Sequence, residues 1–479
     1  MGKGTLSGAY TILVASQYDF YPGSPAAVYS ANGGPDFQNR PPKQFVHGLS
    51  VAAWRALCLQ CIGNPSMSTP TVQTRSRICA DAYLVGAVAQ PSHEAVPSIL
   101  LLSQLFPPAI GGSAVLLEAV YSRQGTQVVV LTDGATAGPV PARAERITLV
   151  HRPLETTHWG LLDPKGLAHH VRVAWETRKL GSRGEVIVHC ARALPEGVAA
   201  WLSRRLGGPL YVCWSHGEDL AMAQHSREFT IMTRRICLDA AANIANSHST
   251  GRMLEALGVP PARIHVVHPG VDVARFRPEV DGSAIRARFA ADPVTLLLSV
   301  GRLQRRKGHD LAIAAVARLG PSIPVKYLIV GDGEERRRLE ALAVEVSVQD
   351  RVHFLGEVSA SDLPSYYAAC DIFMMPNRVD DGDLEGFGIV FLEAAATGRP
   401  VIGGLSGGVA EAVLNRETGL LVGGTDVDEL AAAIRELALS ADTRRAMGLA
   451  GRERACREFT WDRAAAQVRA VHARVAGAG

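Results

Sequence analysis

The chain has no apolar run long enough to cross a membrane. Its most apolar stretches, residues 99–102 and 296–300, are strand-length, far below the roughly 18–20 residues a bilayer needs. No charged N-terminal segment leads into an apolar one, so no secretory signal is expected. Met1-Gly2 opens the chain, but Leu6 stands where myristoylation wants Ser or Thr. Charge of one sign is also missing. The 49 Lys and Arg against 46 Asp and Glu leave +3, too weak a field to argue for nucleic acid, although it suits an anionic ligand. Cysteine is sparse, with eight in 479 residues. Five of them, Cys190, Cys213, Cys237, Cys370 and Cys456, are scattered, several in apolar patterns, as expected for reduced, buried thiols in a cytoplasmic protein. Cys58-x-x-Cys61 with Cys79 beyond has no fourth ligand at zinc spacing, so no metal is expected.

What is present is globular in composition, 47% apolar and 20% charged, and too long for one ordinary domain. Residues 1–96 mix Gly, Pro, Ser, Asn and Gln with little periodicity. A strand at 10–15 and a short helix at 51–61 are the elements expected in this largely irregular extension. From residue 98 the texture changes. Strands are expected at 98–105, 127–131, 146–150, 186–189, 210–214, 240–245 and 264–267, with helices at 113–121, 167–180 and 194–206. His268-Pro269-Gly270-Val271-Asp272 interrupts with turn residues. The alternation then restarts. Strands follow at 295–300, 326–330, 352–354, 372–375, 401–402 and 420–422, and helices at 310–318, 334–346, 363–369 and from 428. This pattern predicts an α/β chain with two doubly wound, Rossmann-like domains, 97–272 and 273–455. Ligands of such sheets bind at the carboxyl ends of strands, here in the cleft between the two domains.

Four constellations fall at such strand ends. Pro107-Pro108-Ala109-Ile110-Gly111-Gly112 follows the first strand, and a Gly-Gly loop opening a helix offers N–H groups to a diphosphate. Ser299-Val300-Gly301-Arg302-Leu303-Gln304-Arg305-Arg306-Lys307-Gly308 is the densest basic segment. Fixed cations there can neutralise a departing diphosphate. Arg302 and Lys307 are expected to do so, and Arg305 and Arg306 to be solvated. Trp214-Ser215-His216-Gly217-Glu218-Asp219 places a histidine at a strand end, either against a sugar hydroxyl or as a structural residue. The fourth is Glu385-Gly386-Phe387-Gly388-Ile389-Val390-Phe391-Leu392-Glu393. Its glycines allow close backbone approach, and a helix opening on such a loop favours a phosphate. A carboxylate at each end could accept hydroxyl hydrogen bonds, so the stretch fits a nucleotide sugar. A core helix with two solvated glutamates is the alternative.

Taken in order, these motifs resemble the retaining glycosyltransferases of the GT-B fold, family 4. Further landmarks are Val330-Gly331-Asp332-Gly333, Val352-x-Phe354-Leu355-Gly356, Ser406-Gly407-Gly408 and Thr418-Gly419-Leu420-Leu421-Val422. The stretch from Asp383 to Val390 looks especially like the phosphatidylinositol-mannoside mannosyltransferase branch. The resemblance implies that His216, Arg302, Lys307 and Glu385 carry catalysis. Arg302 and Lys307 would hold the donor diphosphate, Glu385 the donor sugar and Glu393 the ribose. Backbone N–H groups of Gly386, Phe387, Gly388, Ile389 and Val390 would hold sugar and phosphate, with Gly111 and Gly112 closing from the other domain. Gly331, Gly333, Leu355 and Val358 would sit near the base. The segment 456–479 would return to the N-terminal domain. It further implies a GDP- or UDP-sugar donor, transfer of a hexose with retention, and a glycan, lipid-linked or small-molecule acceptor. No metal or other cofactor and no nucleic acid are implied, and the location would be cytoplasmic with peripheral contact at the inner membrane face. A GT-B nucleotide-sugar epimerase and a non-catalytic nucleotide-sugar-binding protein are the rival readings. One departure is Ala410, where many relatives have proline, although Glu411 follows as in the family.

Overall fold

The computed structural model describes residues 98–107, 111–133, 146–182, 185–290 and 293–477. The elements expected within residues 1–96, the Cys58, Cys61 and Cys79 group, and residues 108–110 of the Gly-Gly loop lie outside them.

Seven parallel strands form the first sheet: β1 Ser98–Leu102, β2 Val128–Thr132, β3 Ile147–His151, β4 Val186–Cys190, β5 Tyr211–Ser215, β6 Ala242–Ala245 and β7 Ile264–Val266. Their order is β3-β2-β1-β4-β5-β6-β7. Ile99 pairs with Val128 on one side and Ile187 on the other, so β1 is central. Its near-continuous apolar sequence reflects cover on both faces. Leu100 and Leu102 join one core with Val173 and Val198, whereas Ile99 and Leu101 join the opposite core with Leu117 and Val468. That is the period-two alternation of a strand.

The second sheet has six parallel strands: β8 Thr295–Val300, β9 Val325–Val330, β10 Val352–Gly356, β11 Ile372–Met375, β12 Val401–Gly404 and β13 Gly419–Val422. They stand in the order β10-β9-β8-β11-β12-β13. Leu297, Tyr327 and Ile329 face one core, and Leu296, Leu298, Leu328 and Val330 the other. Strand order reverses between β1 and β4 and again between β8 and β11. The second reversal brings the loops 301–308 and 376–388 together, where an open α/β sheet binds its ligand.

Local chemistry explains where the elements depart from the sequence reading. Strand β1 ends three residues early because Ser103 Oγ donates to the Leu105 carbonyl 2.7 Å away, turning the chain out of the ladder. Helix Pro164–Gly181 begins before residue 167 because Asp163 caps it, accepting from Lys165 N at 3.1 Å, with proline in the first turn. In the first domain, helices Glu218–Ala223, Arg227–Asp239 and His248–Ala256 were given no range in the sequence reading. Their apolar stripes are thin, and the buried set of Arg227–Asp239 is only Met232, Thr233, Ile236 and Cys237. Serine caps, Ser226 and Ser247, mark the starts of the last two. Of the five cysteines among the described residues, four are free and buried, and Cys456 is free and exposed.

The C-terminal helices divide their packing between the sheets. Ala441–Glu458 contributes Met447 to one core of the second sheet and Ala455 to the other. After the break at Phe459, helix Trp461–Ala476 lays Trp461, Ala464, Val468, Val471 and Val475 on the first-sheet core containing Ile99 and Leu101. At the crossing, Val271 N donates to the Phe459 carbonyl at 2.8 Å. A Cβ on Gly270 would lie 2.5 Å from Trp461 N, so the two backbones meet there only because residue 270 is glycine.

Candidate active site

Strand β11 runs into Asn377 and then a turn in which Asp381 and Gly382 take positive φ. The chain returns through Glu385 and Gly386 to Gly388, which adopts φ +89 as it enters helix Ile389–Ala396. No side chain caps that helix. Its first-turn N–H groups and positive dipole end therefore suit an anion.

Glu385 is buried, and its Oε2 accepts three hydrogen bonds: from Lys307 Nζ at 2.6 Å, Asn377 Nδ2 at 2.9 Å and Arg306 Nη1 at 3.1 Å. Burial alone would push the Glu385 carboxyl up, but Lys307 and Arg306 outweigh it and hold the pKa below its ordinary value. Lys307 is itself depressed, by desolvation first, against the pull of Glu385. Arg306 has two further carboxylate partners, Asp383 at 2.9 Å and, from the first domain, Glu218 at 3.4 Å. Desolvation works against its charge, yet Glu385, Glu218 and Asp383 together raise its pKa. The cluster thus holds two cations and three carboxylates. Burial pushes Asp383 up to about 6 despite Arg306.

One expectation from the sequence is corrected here. Arg306, expected to be solvated, is buried at the centre of the cluster. Arg302, expected with Lys307 to neutralise the departing diphosphate, is exposed. The cause is local geometry. Leu303 goes fully into the core, which turns its neighbour Arg302 outward. The 3-10 turn Arg305–Lys307 ends at Gly308 with φ +73, and a Cβ there would lie 2.1 Å from the Pro376 carbonyl. This clamp between the two loops directs Arg306 and Lys307 at Glu385. Arg305 is exposed, as expected. Asn377 was not singled out from the sequence, because a lone amide in an Asp- and Gly-rich loop carries no spacing signal.

Glu393 lies just over one turn into the helix and accepts from the Tyr367 hydroxyl at 2.7 Å. Desolvation lifts it to about 7, opposed by that hydrogen bond and by Arg275. Phe387 is buried between His268 and Phe459, at ring distances of 5.3 and 5.7 Å. Ile389 and Val390 are half-buried, and Ile389 packs against the first domain's core.

The first domain brings His216 to the same place. A Cβ on Gly386 would lie 1.9 Å from the His216 carbonyl oxygen, so glycine lets the two domains touch backbone to backbone. The His216 ring stacks on Trp214 at 5.9 Å and 8°. Its Nε2 is 3.0 Å from the Ala191 carbonyl, and its backbone N–H donates to Asp219 Oδ1 at 2.9 Å. Desolvation lowers its pKa, so it is neutral, with Nε2–H donating to the carbonyl and Nδ1 left as the acceptor. Gly111 caps helix Gly112–Tyr121 at the end of β1, and both glycines have open space where a side chain would stand. Gly331 and Gly333 let the loops after β8 and β9 close on each other, since Cβ atoms there would meet the Gly301 and Leu303 carbonyls at 2.1 and 2.6 Å. Leu355 and Val358 pack partly buried against the same domain's core. Despite Ala410, the residues after Ser406-Gly407-Gly408 form helix Val409–Ala412.

Comparison with known proteins follows the same outline. The family described as Glycosyl transferases group 1 matches residues 284–454, and Glycosyltransferase Family 4 matches residues 113–275. A GDP-mannose-dependent alpha-(1-6)-phosphatidylinositol monomannoside mannosyltransferase of Mycobacterium tuberculosis is 32% identical over 382 residues, 77% of this chain and 96% of that protein. The protein of the same description from Mycolicibacterium smegmatis is 33% identical over 375 residues, 76% of this chain and 95% of its own. Among solved structures, sucrose-phosphate synthase from Thermosynechococcus elongatus superposes with a TM-score of 0.67 at 25% identity, over 80% of this chain and 100% of that one. Anabaena HepE in complex with UDP and glucose gives 0.66 at 21%, with the same coverage. The chain belongs to the family 4, group 1 glycosyltransferases, and it is a GT-B-fold enzyme that moves a hexose from a nucleotide-diphosphate sugar to an acceptor with retention of configuration.

Proposed function

We propose that the enzyme transfers mannose from GDP-mannose to a phosphatidylinositol-linked acceptor, at a membrane face and without a metal. The observation that carries the donor half is Glu385, fixed by two cations and an amide beside an uncapped helix N-terminus. In this reading Glu385 receives hydroxyls of the donor sugar. The N–H groups from Phe387 to Val390, with Lys307 and Arg302, hold the diphosphate. The bond from the anomeric carbon to the diphosphate oxygen breaks as positive charge from Lys307, Arg302 and the helix end stabilises the leaving group. The acceptor oxygen bonds to the anomeric carbon on the same face, and its proton passes to the departing phosphate oxygen. His216, neutral and held against Ala191, offers Nδ1 to the donor sugar. Gly111 and Gly112, at the start of helix Gly112–Tyr121, offer N–H groups to the phosphate, and Gly331, Gly333, Leu355 and Val358 border the base. Because the cations are supplied by the chain, no metal is required for charge neutralisation. The choice of GDP-mannose and of the acceptor rests on the relatives named above. Enzyme incubated with GDP-mannose and phosphatidylinositol vesicles, with and without mannosylated lipid, should yield a new mannosyl lipid. Donor consumption that is never coupled to any inositol lipid would remove the acceptor assignment.

Glu393 would receive the ribose hydroxyls. An ionised carboxylate accepts two hydroxyl protons, whereas a protonated one accepts fewer. With Glu393 at about 7, donor affinity should therefore rise as pH increases from 6 to 8, by roughly tenfold. Tyr367→Phe removes a hydrogen bond that lowers this pKa, so the midpoint should move up. Titration of donor affinity against pH in both proteins checks this, and a flat profile would count against the ribose assignment.

The surface that supports a peripheral membrane contact is helix Pro164–Gly181 and its lead-in. Leu162, Leu167, Val171 and Trp175 are exposed at 84, 43, 47 and 60%, with the last three at helical spacings of four. Exposed Lys165, Arg172, Arg178 and Lys179 stand around them. Apolar side chains ringed by cations fit the headgroup boundary of an anionic bilayer. No helix among the described residues is long and apolar enough to cross a membrane. Co-sedimentation with phosphatidylinositol-containing vesicles should be strong, should fall with salt, and should be lost in Leu167→Asp/Trp175→Asp. Equal binding to zwitterionic vesicles, or no loss in the variant, would argue against this surface.

A further inference from the structure

We propose a site for a divalent transition-metal ion of the zinc, cobalt or nickel class on His248, His268 and Glu411, which clasps the two domains together. The three residues come from three segments. His248 opens helix His248–Ala256 of the first domain, His268 lies in the connection after β7, and Glu411 is in helix Val409–Ala412 of the second domain. One ligand atom from each lies within 4.8 Å of the others. His268 Nε2 and Glu411 Oε2 are 2.8 Å apart, and tetrahedral zinc separates its donors by about 3.3 Å. The pair has only to open slightly, while the exposed His248 side chain swings in about its own torsions. Two imidazoles and one carboxylate form a borderline donor set that suits zinc and its neighbours, with water as the fourth ligand.

Surrounding groups already orient these ligands. The Glu411 carboxylate accepts from the backbone N–H of His248 at 2.8 Å and of Ser249 at 3.0 Å. The His268 ring is flanked by Phe387 at 5.3 Å and Phe459 at 5.9 Å, and by His248 at 5.6 Å. Outer contacts of this kind fix ligand direction in metal sites. A cavity of about 380 Å³ lined by His248, Arg252 and Glu255 opens on the His248 side of the cluster. Nothing in the proposed transfer reaction uses these three side chains. They do adjoin the donor loop, because Gly408 N donates to the Glu385 carbonyl at 2.9 Å. An occupied clasp therefore acts on the sugar-binding loop, a role separate from the charge neutralisation supplied by Lys307.

The test uses the full chain, stripped of metal with chelator and titrated with Zn²⁺ and, for its spectrum, Co²⁺. One saturable ion per chain is expected, with a Co²⁺ spectrum of nitrogen and oxygen ligation. His248→Ala, which leaves the backbone N–H groups that bind Glu411 intact, should weaken binding by about tenfold or more. Added Zn²⁺ should change the donor KM of the wild type but not that of His248→Ala. Equal binding in wild type and His248→Ala, a thiolate-to-cobalt band marking a cysteine site, or only unsaturable uptake of an adventitious ion would each overturn the proposal.

Discussion

Glu385→Gln should lose on the order of 10²–10³-fold in kcat while remaining folded. Glutamine keeps the shape and one oxygen acceptor but removes the charge that Lys307 and Arg306 converge on. The wild-type carboxylate takes three donors on Oε2, two of them cationic. Charge-assisted hydrogen bonds of this kind contribute roughly 1.5–3 kcal/mol each. In the variant, Lys307 is free to move off its line, and a sugar hydroxyl meets an amide in place of a carboxylate. The loss should fall mainly on kcat, because the geometry that matters is reached as the diphosphate departs. Glu385→Ala would be a poorer probe, since it leaves two buried cations facing a cavity and mixes instability with lost chemistry. Steady-state kinetics alongside a melting curve separate the two effects. A Glu385→Gln enzyme with near wild-type kcat would remove Glu385 from the sugar site.

Arg306→Leu should produce the largest loss of stability. Removing one member of a buried ion cluster costs roughly 3–5 kcal/mol, because its partners are left uncompensated. Arg306 faces Glu385, Asp383 and Glu218, and only Lys307 remains to balance them. The pH dependence follows from Asp383. Its folded pKa is already raised to about 6, chiefly by burial, and loss of Arg306, which opposes that rise, lifts it further. A carboxyl raised in the folded state costs stability as pH climbs through its folded pKa, and the cost disappears when it is protonated. The deficit relative to wild type should therefore be greatest near pH 8 and shrink towards pH 5. Donor affinity should fall as well, since Glu218 loses its link to the second domain. Urea denaturation at pH 5, 6.5 and 8 reads the trend, and a deficit independent of pH would mean that Asp383 is not the group left unbalanced.

Much of the fold was legible because strands such as 295–300 and 372–375 are largely apolar and bounded by turn residues, as both-face burial requires. Elements that rely on caps and few buried positions, such as Arg227–Asp239, were not, since periodicity there is weak. At the site, the Glu385 loop and the Lys307-Gly308 motif pointed to side chains that the structure brings together before helix Ile389–Ala396, whereas Glu393 lies inside that helix against Tyr367. What spacing could not convey was which face of a short 3-10 turn looks inward. Gly308, pressed on the Pro376 carbonyl, decides that, and it moves Arg306 from surface to centre. Contacts between the domains were equally hidden, because Gly386 against His216 and Glu411 against His248 join residues 170 and 163 apart in the chain.

Turnover of nucleotide sugars by the wild-type enzyme in the absence of acceptor, with Glu385→Gln beside it, tests the central claim most directly. GDP-mannose should be hydrolysed slowly by the wild type, in preference to UDP-glucose and other donors, and hardly at all by Glu385→Gln. Preference for a UDP-sugar, or equal hydrolysis by both proteins, would contradict the account of this site as a GDP-mannose site built around Glu385.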